Sequence, residues 1–220
     1  MGRREATGRS GYTCGVTPAS SRSRRNPTLR DEQVAQTRAA LVEAGRGLFG
    51  RQGYAATSVD DLAREARVTT GALYHHFPTK TALFETVFEQ VHTELLTRSA
   101  DAASRAPDEI AALGVGFEAF LDGMLVPEVQ RILVTDAPAV LGLARFTELD
   151  ERYAFATIAA ELRAAAEAGR LRADDPDTLA RLLLGALTRG SMLIAGAPDP
   201  RQARDAVVQA LRLLLAGLTA

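Results

Sequence analysis

The sequence predicts an all-α protein that consists of an N-terminal three-helix helix-turn-helix domain followed by a C-terminal helical bundle. Apolar residues recur at helical intervals from about position 31 almost to the end of the chain. No segment of useful length alternates as a half-buried strand would. Two short helical patterns near position 68 are separated by only three residues, as in a helix-turn-helix. We therefore expect a tail over 1–28, a helix-turn-helix domain over 29–80 and a bundle over 81–220.

The predicted tail differs in charge from the rest of the chain. Residues 1–30 contain seven arginines and one acidic residue, whereas residues 31–220 contain 19 basic and 26 acidic residues, a net charge of −7. A segment this basic and this poor in apolar residues is expected to be disordered, either as a solvated tail or as an auxiliary DNA-binding arm. The single cysteine, Cys14, excludes an intramolecular disulfide and suits a reducing compartment.

Capping signals define the first two helices. The first is predicted from Asp31 to Gly53, where glycine suits a left-handed C-cap. The second begins at Thr57-Ser58, and an aspartate follows three residues later to close a capping box. Both boundaries are therefore predicted from hydrogen-bonding chemistry as well as from the apolar period.

Two further helices complete this part of the chain. The third is predicted from Thr70 to about Phe77, with Thr69 as its N-cap and Pro78 as its stop. The fourth begins after Thr79 and continues through Leu95, which is long enough to leave the first domain and enter the second.

The C-terminal region is predicted to be helical throughout. Its segments are expected near 108–126, 128–136, 139–168, 175–196 and 199–218, with breaks at Pro127, Pro138, Gly169 and residues 196–198. The last two helix starts are the best defined, because Asp175-Pro176 and Asp199-Pro200 each place a capping carboxylate before a proline.

The stretch from Ala44 to Lys80, AGRGLFGRQGYAATSVDDLAREARVTTGALYHHFPTK, resembles the DNA-binding domain of the tetracycline-repressor (TetR) family. The resemblance is dense in GY…TSV, LAREA and GALYHHF, and it extends over residues 33–90, about a quarter of the chain. It implies a one-component regulator whose helix-turn-helix binds a double-stranded DNA operator. It also implies that residues 81–220 form a ligand-binding and dimerisation domain. Two positions depart from the family pattern: Arg67 stands at a turn position that is commonly glycine, and Asp60 where relatives often have a basic or neutral residue.

The third helix has the properties of a recognition helix. Val68, Leu73 and Phe77 can pack it onto the first two helices, while its small, polar N-terminus can enter the major groove. Lys80, the only lysine in the sequence, is predicted to bind phosphate at the start of the fourth helix. From the resemblance and these properties of the third helix, nine residues are expected to contact DNA: Ser58, Arg67, Thr69, Thr70, Gly71, Ala72, Tyr74, His75 and Lys80. For Tyr74 and His76, an ordinary core or surface role is the alternative.

The C-terminal bundle is expected to bind an apolar small molecule and to form a homodimer. The candidate ligand contacts are large apolar or polar-tipped residues: Phe117, Phe120, Leu121, Met124, Phe146 and Tyr153. Each is equally explained as core. The acidic run around Asp150 is either a polar anchor for the ligand or a solvated helix face. The last two helices carry more apolar surface than one face needs, so their leucines are predicted to meet a second subunit: Leu183, Leu187, Leu211 and Leu215.

Other classes of protein have little support in the sequence. Gly114–Gly116 has no preceding strand, so it is not a dinucleotide loop, and no cofactor is expected. His92 is expected on an exposed helix turn, and the adjacent pair His75 and His76 lacks further metal ligands. The sequence contains no run of eighteen apolar residues, which a membrane span would require. We expect a cytoplasmic, non-enzymatic protein. The alternatives are a helical enzyme with a DNA-binding appendage and a ligand-independent DNA-architectural protein.

Overall fold

The computed structural model describes residues 28–219, and over this range the chain is helical without a strand, which confirms the predicted all-α class. The predictions for the basic tail and for Cys14 lie outside the described residues. The helices are α1 Leu29–Gln52, α2 Val59–Glu65, α3 Thr70–His76, α4 Lys80–Ala103, α5 Glu109–Gly123, α6 Pro127–Leu141, α7 143–167, α8 Pro176–Gly196 and α9 Pro200–Ala216.

The ends of α1 are fixed by local chemistry. Thr28 and Asp31 form a capping box, in which the Thr28 hydroxyl accepts from the Asp31 N–H and the Asp31 carboxylate accepts from the Thr28 N–H. Gly53 closes the helix with φ 85° and ψ 164°. Glycine is therefore required there, as predicted, although the backbone is not in the left-handed helical region that we expected.

The helix-turn-helix follows the predicted boundaries. Ser58 and Asp61 form the capping box of α2, and the Thr69 hydroxyl accepts from the Ala72 N–H to cap α3. Within residues 28–219, Arg67 in the turn is the one non-glycine residue with positive φ, at 57°. The usual glycine is thus replaced by arginine at a position that costs a side chain roughly 1–2 kcal/mol.

The prediction of a helix break at Pro138 is wrong. Pro138 lies inside α6, directly after a π-helical turn over Arg131–Asp136, and the chain breaks at Gly142 instead, where φ is 77°. Proline has no N–H to donate, so a widened turn next to it accommodates the missing backbone bond. Helix α7 contains a second π-helical turn, over Glu151–Phe155.

A single buried cluster connects the two predicted domains. It contains Phe49 and Leu73 from the helix-turn-helix as well as Phe120 and Leu187 from the bundle. Helix α4 crosses the predicted boundary near residue 80 without interruption, and it packs against α1 at its start and along α5 further on. Movement of α4 would therefore alter the packing of both parts of the protein.

The four leucines predicted to form the dimer surface do not lie at the surface of the chain. The structure buries all four of them in the core of their own chain: Leu183, Leu187, Leu211 and Leu215. Other leucines on the same two helices are exposed: Leu182, Leu193, Leu213 and Leu214. An apolar residue can face only one way, so the surface available to a second subunit is the exposed set.

Helix α8 is long and apolar enough to cross a membrane by length and composition, and α5 with α6 passes the same test only as a pair bent by 95°. In this fold α8 packs against α7 and α9 and contributes Leu183, Leu184 and Leu187 to the core. Its apolar composition is thus explained in part by core packing.

Candidate DNA interface and ligand cavity

Helix α3 presents a mixed surface of the kind that enters a major groove. Leu73 and Phe77 are buried against the other helices, whereas Gly71, Tyr74 and His75 are exposed, Tyr74 to 49%. Leu73 is the one fully buried residue of α3, whereas Thr70, Ala72 and His76 are partly buried. The exposed side carries no acidic residue, which suits an approach to phosphates.

Several of the hydroxyls predicted to contact DNA already have partners in the protein. The Ser58 hydroxyl donates to Asp61 at 2.6 Å, and the Thr70 hydroxyl donates to Asp60 at 3.1 Å. The Thr69 hydroxyl accepts from the Ala72 N–H at 3.1 Å. These bonds orient the side chains, and they leave oxygen lone pairs and the threonine methyl groups for a ligand.

Lys80 lies where α4 meets the helix-turn-helix. Its ammonium donates to the carbonyl oxygens of Tyr54 at 2.9 Å and Thr57 at 2.8 Å. It also lies 4.0 Å from the centre of the Tyr54 ring, in a cation–π contact. The ammonium has three donors, so one remains for a phosphate after the two carbonyls are satisfied. The lysine therefore holds the loop before α2.

An aromatic cluster fixes this domain to α4. Phe84 is fully buried, and its ring meets Phe49 edge-on at 5.3 Å and Tyr54 edge-on at 5.3 Å. The Tyr54 hydroxyl is hydrogen-bonded to that of Thr81 at 2.9 Å. These contacts join the end of α1, the following loop and α4 into one packed unit.

Helix α6 forms a second connection between the bundle and the DNA-binding domain. Asp136 accepts from the backbone N–H of Tyr54 at 2.7 Å. Arg46 of α1 donates to Glu128 at 2.9 Å and pairs with Glu94 of α4 at 2.8 Å. The Arg131 guanidinium donates to the last turn of α1. The start and the π-helical turn of α6 thus hold the C-terminal end of α1.

A cavity of about 310 Å³ lies between α4, α5, α7 and α8. Most of its wall is apolar, with Ser99, Thr157 and Glu161 among the polar residues. The larger apolar side chains are Leu96, Leu113, Phe117, Phe120, Ile158 and Leu187. A space of this size and lining suits a small ligand with an apolar body.

A second, smaller cavity of about 30 Å³ shares Phe120 with the first. Its polar lining residues are His92 and Ser191, which are buried, and Asp150 and Thr188, which are partly buried. The prediction that His92 is exposed is wrong, because only 2% of it is accessible and it lies one turn after the buried Phe88. This spacing on the apolar stripe of α4 was the signal available in the sequence.

The predicted ligand contacts divide between these spaces. Phe117 and Phe120 line the larger cavity, and Phe120, Met124 and Phe146 line the smaller one. Leu121 is fully buried and lines neither, and Tyr153 lines neither although its ring lies 6.0 Å from that of His92. Phe117, Phe120, Met124 and Phe146 thus remain candidates for direct contact with a ligand, whereas Leu121 has the placement of a core residue.

The acidic run on α7 also separates into two kinds of residue. Glu148 pairs with Arg145 and Arg152 at 2.7 Å each, and Glu151 lies 3.6 Å from Arg181. These are exposed ion pairs, which contribute little to stability. Asp150 alone turns inward.

Among residues 28–219, no group of three or more His, Cys, Asp or Glu is arranged to hold a metal ion.

Two parts of the chain match family descriptions. Residues 41–87 match bacterial regulatory proteins of the tetR family, and residues 110–218 match the tetracyclin repressor-like C-terminal domain. A TetR-family transcriptional regulator from Pectobacterium atrosepticum, known from its crystal structure, is 35% identical. The alignment covers 86% of this chain and 97% of that one, with a TM-score of 0.77.

Curated relatives agree with this likeness. The transposon Tn10 TetC protein of Escherichia coli is 28% identical over 162 residues, which are 73% of this chain and 81% of that protein. The transcriptional repressor Rv3405c of Mycobacterium tuberculosis is 37% identical over 119 residues, 52% of this chain, and the match spans 60% of its length. The chain therefore belongs to the TetR family and is a DNA-binding transcriptional regulator, not an enzyme.

Proposed function

We propose that this regulator is a repressor that binds a palindromic operator as a homodimer and releases it when a small molecule with an apolar body occupies the bundle. The observation that carries the proposal is the continuity of α4. Its first residue, Lys80, holds the helix-turn-helix, and its later turns line both cavities through Phe88, His92 and Leu96. The relative from Mycobacterium tuberculosis that is named a repressor supports the direction of regulation.

The proposed DNA surface consists of the nine residues that the sequence predicts. Tyr74, His75 and Arg67 are exposed donors for phosphate oxygens, and Gly71 allows the backbone to approach the bases closely. Thr70 is half-buried, and because its hydroxyl is engaged by Asp60, its methyl group is the part that we expect to meet a base. The proposed phosphate contact of Lys80 uses its third donor.

Helix α6 offers a route from the ligand to the DNA. Leu133 and Val134 of its π-helical turn line the small cavity. Asp136 follows two residues later and accepts a hydrogen bond from the Tyr54 N–H. A ligand that displaces this turn would strain the contact with Tyr54 and hence the loop that Lys80 holds. A hundredfold loss of operator affinity requires a coupling of only about 2.7 kcal/mol. Burial of roughly 110 Å² more apolar surface in one state supplies that much.

The proposed dimer surface is the exposed apolar side of α8 and α9. Leu182 and Leu193 are three helical turns apart, so they share one face of α8. On α9, Ala206 and Ala210 share a face with Leu214, and all three are exposed. Two copies that join these faces would form a four-helix interface about a two-fold axis. A two-fold dimer in turn requires an operator with two-fold symmetry.

Replacing Leu214 by glutamate is expected to convert the dimer to a folded monomer at micromolar concentration. Leu214 is 53% exposed in one chain, so a charge there spares the core but is costly to bury in the interface. Light scattering measures the mass. Leu143→Glu is the matched control, because Leu143 is 74% exposed at the start of α7 and distant in sequence from both helices. A Leu214→Glu dimer of unchanged affinity would contradict the proposed surface.

A DNA-binding function requires access to the genome, and we propose that the protein works in the cytoplasm, with no membrane partner.

The operator is tested by selection from a random DNA pool, which is expected to return an inverted repeat. Release is tested by titrating apolar compounds that raise the protein's melting temperature into the protein–operator complex. Sequence-indifferent DNA binding, or tight ligands that leave operator affinity unchanged, would contradict the repressor mechanism.

A further inference from the structure

The small cavity contains a buried carboxylate without a cationic partner. The Asp150 side chain is 15% exposed, and one of its oxygens accepts from the Thr188 hydroxyl at 2.7 Å. Within residues 28–219, the nearest basic group is His92, whose Nε2 lies 3.7 Å from the other oxygen of Asp150. No lysine or arginine of this range pairs with Asp150.

The imidazole does not supply the missing charge. His92 is almost wholly buried, and this burial lowers the pKa of His92 to about 4. The ring is therefore neutral at physiological pH. Burial also raises the pKa of Asp150, and the charge of Glu151 raises it further, whereas the Thr188 hydrogen bond lowers it. A positive group placed in this cavity would stabilise the ionised carboxylate.

The hydrogen-bonding groups around the cavity are mainly acceptors without a donor. The Thr188 hydroxyl is engaged by Asp150, and the Ser191 hydroxyl donates to the Leu187 carbonyl at 3.0 Å. The His92 Nε2 faces Asp150 at 3.7 Å, and it is an acceptor when the ring proton is on Nδ1. Asp150 and His92 Nε2 can then both accept from one donor-rich group placed between them, and an ammonium has only donors.

Aromatic rings surround the same groups. The His92 ring lies 5.4 Å from that of Phe88 and 6.2 Å from that of Phe120, and Phe88 lies 6.1 Å from Phe146. Phe88, Phe120 and Phe146 all line the cavity. The faces of aromatic rings attract cations, and the attraction is stronger where water is excluded.

We propose that the ligand of this regulator is an amine with an apolar body, whose ammonium binds between Asp150 and His92 and whose body occupies the larger cavity. The volumes support this division. About 30 Å³ accommodates a group the size of a water molecule or an ammonium, and about 310 Å³ beyond the shared Phe120 accommodates an apolar body. This inference rests on the proposed ligand-binding function and names the chemistry of the ligand.

The test uses three probes that share one apolar body: phenethylamine, phenethyl alcohol and phenylpropionate. Their binding to the full-length dimer is measured by calorimetry at neutral pH and fixed salt. The amine is expected to bind at least tenfold more tightly than the alcohol, and the carboxylate more weakly than either. Equal affinities for the amine and the alcohol in the unmodified protein would overturn the proposal. Because this comparison uses no variant, it does not depend on the folding of any mutant.

Asp150→Asn locates the binding site of the ammonium. Asparagine has nearly the same shape, and its amide oxygen can still accept from Thr188, so the change removes the negative charge and replaces one acceptor oxygen by an NH2 donor. The amine is expected to lose at least tenfold in affinity, while the alcohol changes by less than threefold. Glu161→Gln is the control, because it neutralises the carboxylate of the larger cavity. If Glu161→Gln removes the preference for the amine and Asp150→Asn leaves it intact, the assignment to Asp150 is overturned.

Operator binding is measured separately with the same probes, so that the two proposals can fail independently. Amine binding that depends on Asp150 but leaves operator affinity unchanged would support the ligand chemistry and contradict the repressor mechanism. Release of the operator by the alcohol as readily as by the amine would support the mechanism and contradict the ligand chemistry.

Discussion

Replacing Phe84 by alanine is expected to lower the free energy of unfolding by about 3–5 kcal/mol and to abolish specific DNA binding at physiological temperature. The side chain is fully buried between Phe49 and Tyr54, so its removal leaves a cavity and breaks two edge-on aromatic contacts. A loss of this size is a large fraction of the stability of an ordinary domain. Urea unfolding at fixed protein concentration and operator binding measure the two effects.

Phe84→Leu is the control for this prediction. Leucine retains most of the buried apolar volume, so we expect a cost of about 1–2 kcal/mol and an operator affinity close to that of the unmodified protein. If alanine and leucine cost the same, the aromatic cluster is not what holds the DNA-binding domain to α4. The two connections through α6, at Arg46 and Asp136, would then be the principal ones.

The helix-turn-helix could be predicted closely because its boundaries are set by local chemistry. Ser58 and Thr69 cap the helices that the sequence assigns to them, and Arg67 has the left-handed backbone that a turn of this kind requires. Caps depend on residues within three positions of each other, so no knowledge of distant contacts is needed. The same reasoning fixed the starts of α8 and α9 at their Asp-Pro pairs.

The helix break at Pro138 and the dimer leucines could not be predicted this way. A proline can be absorbed by a π-helical turn, and whether that happens depends on neighbouring helices. Helix α8 is apolar on more than one face. The sequence pattern does not indicate which of these faces packs in the core of its own chain. Leu183 faces its own core and Leu182, one residue earlier, faces outward. Only the packing of α8 against α7 and α9 decides between them.

The candidate ligand site was predicted in part for a related reason. Phe117 and Phe120 belong to the cavity, but the sequence could not separate them from Leu121, which lies in the same helix and is core. The polar end of the site combines His92 of α4, Asp150 of α7 and Thr188 of α8. These residues are far apart in sequence, and only the fold brings them together.

Replacing Lys80 by methionine is expected to destabilise the protein by about 1–3 kcal/mol, in addition to weakening its binding to DNA. Methionine retains an apolar stem but has no donor for the carbonyl oxygens of Tyr54 and Thr57. It also removes the cation from the Tyr54 ring. The site is only half-buried, so water replaces part of the lost hydrogen bonding and keeps the cost below that of a core deletion. Urea unfolding measures the destabilisation.

Arg64→Met is the matched control, because Arg64 is an exposed cation on α2 and its ion pair with Asp61 contributes little. The salt dependence of operator binding separates the two roles of Lys80. If its third donor also binds phosphate, Lys80→Met reduces the slope of log affinity against log salt by about one on every sequence tested. An unchanged slope together with a lower stability would leave the loop contact as the sole role of Lys80. An unchanged stability would contradict the importance of the two carbonyl contacts, because a lysine that served only DNA could be replaced without effect on folding.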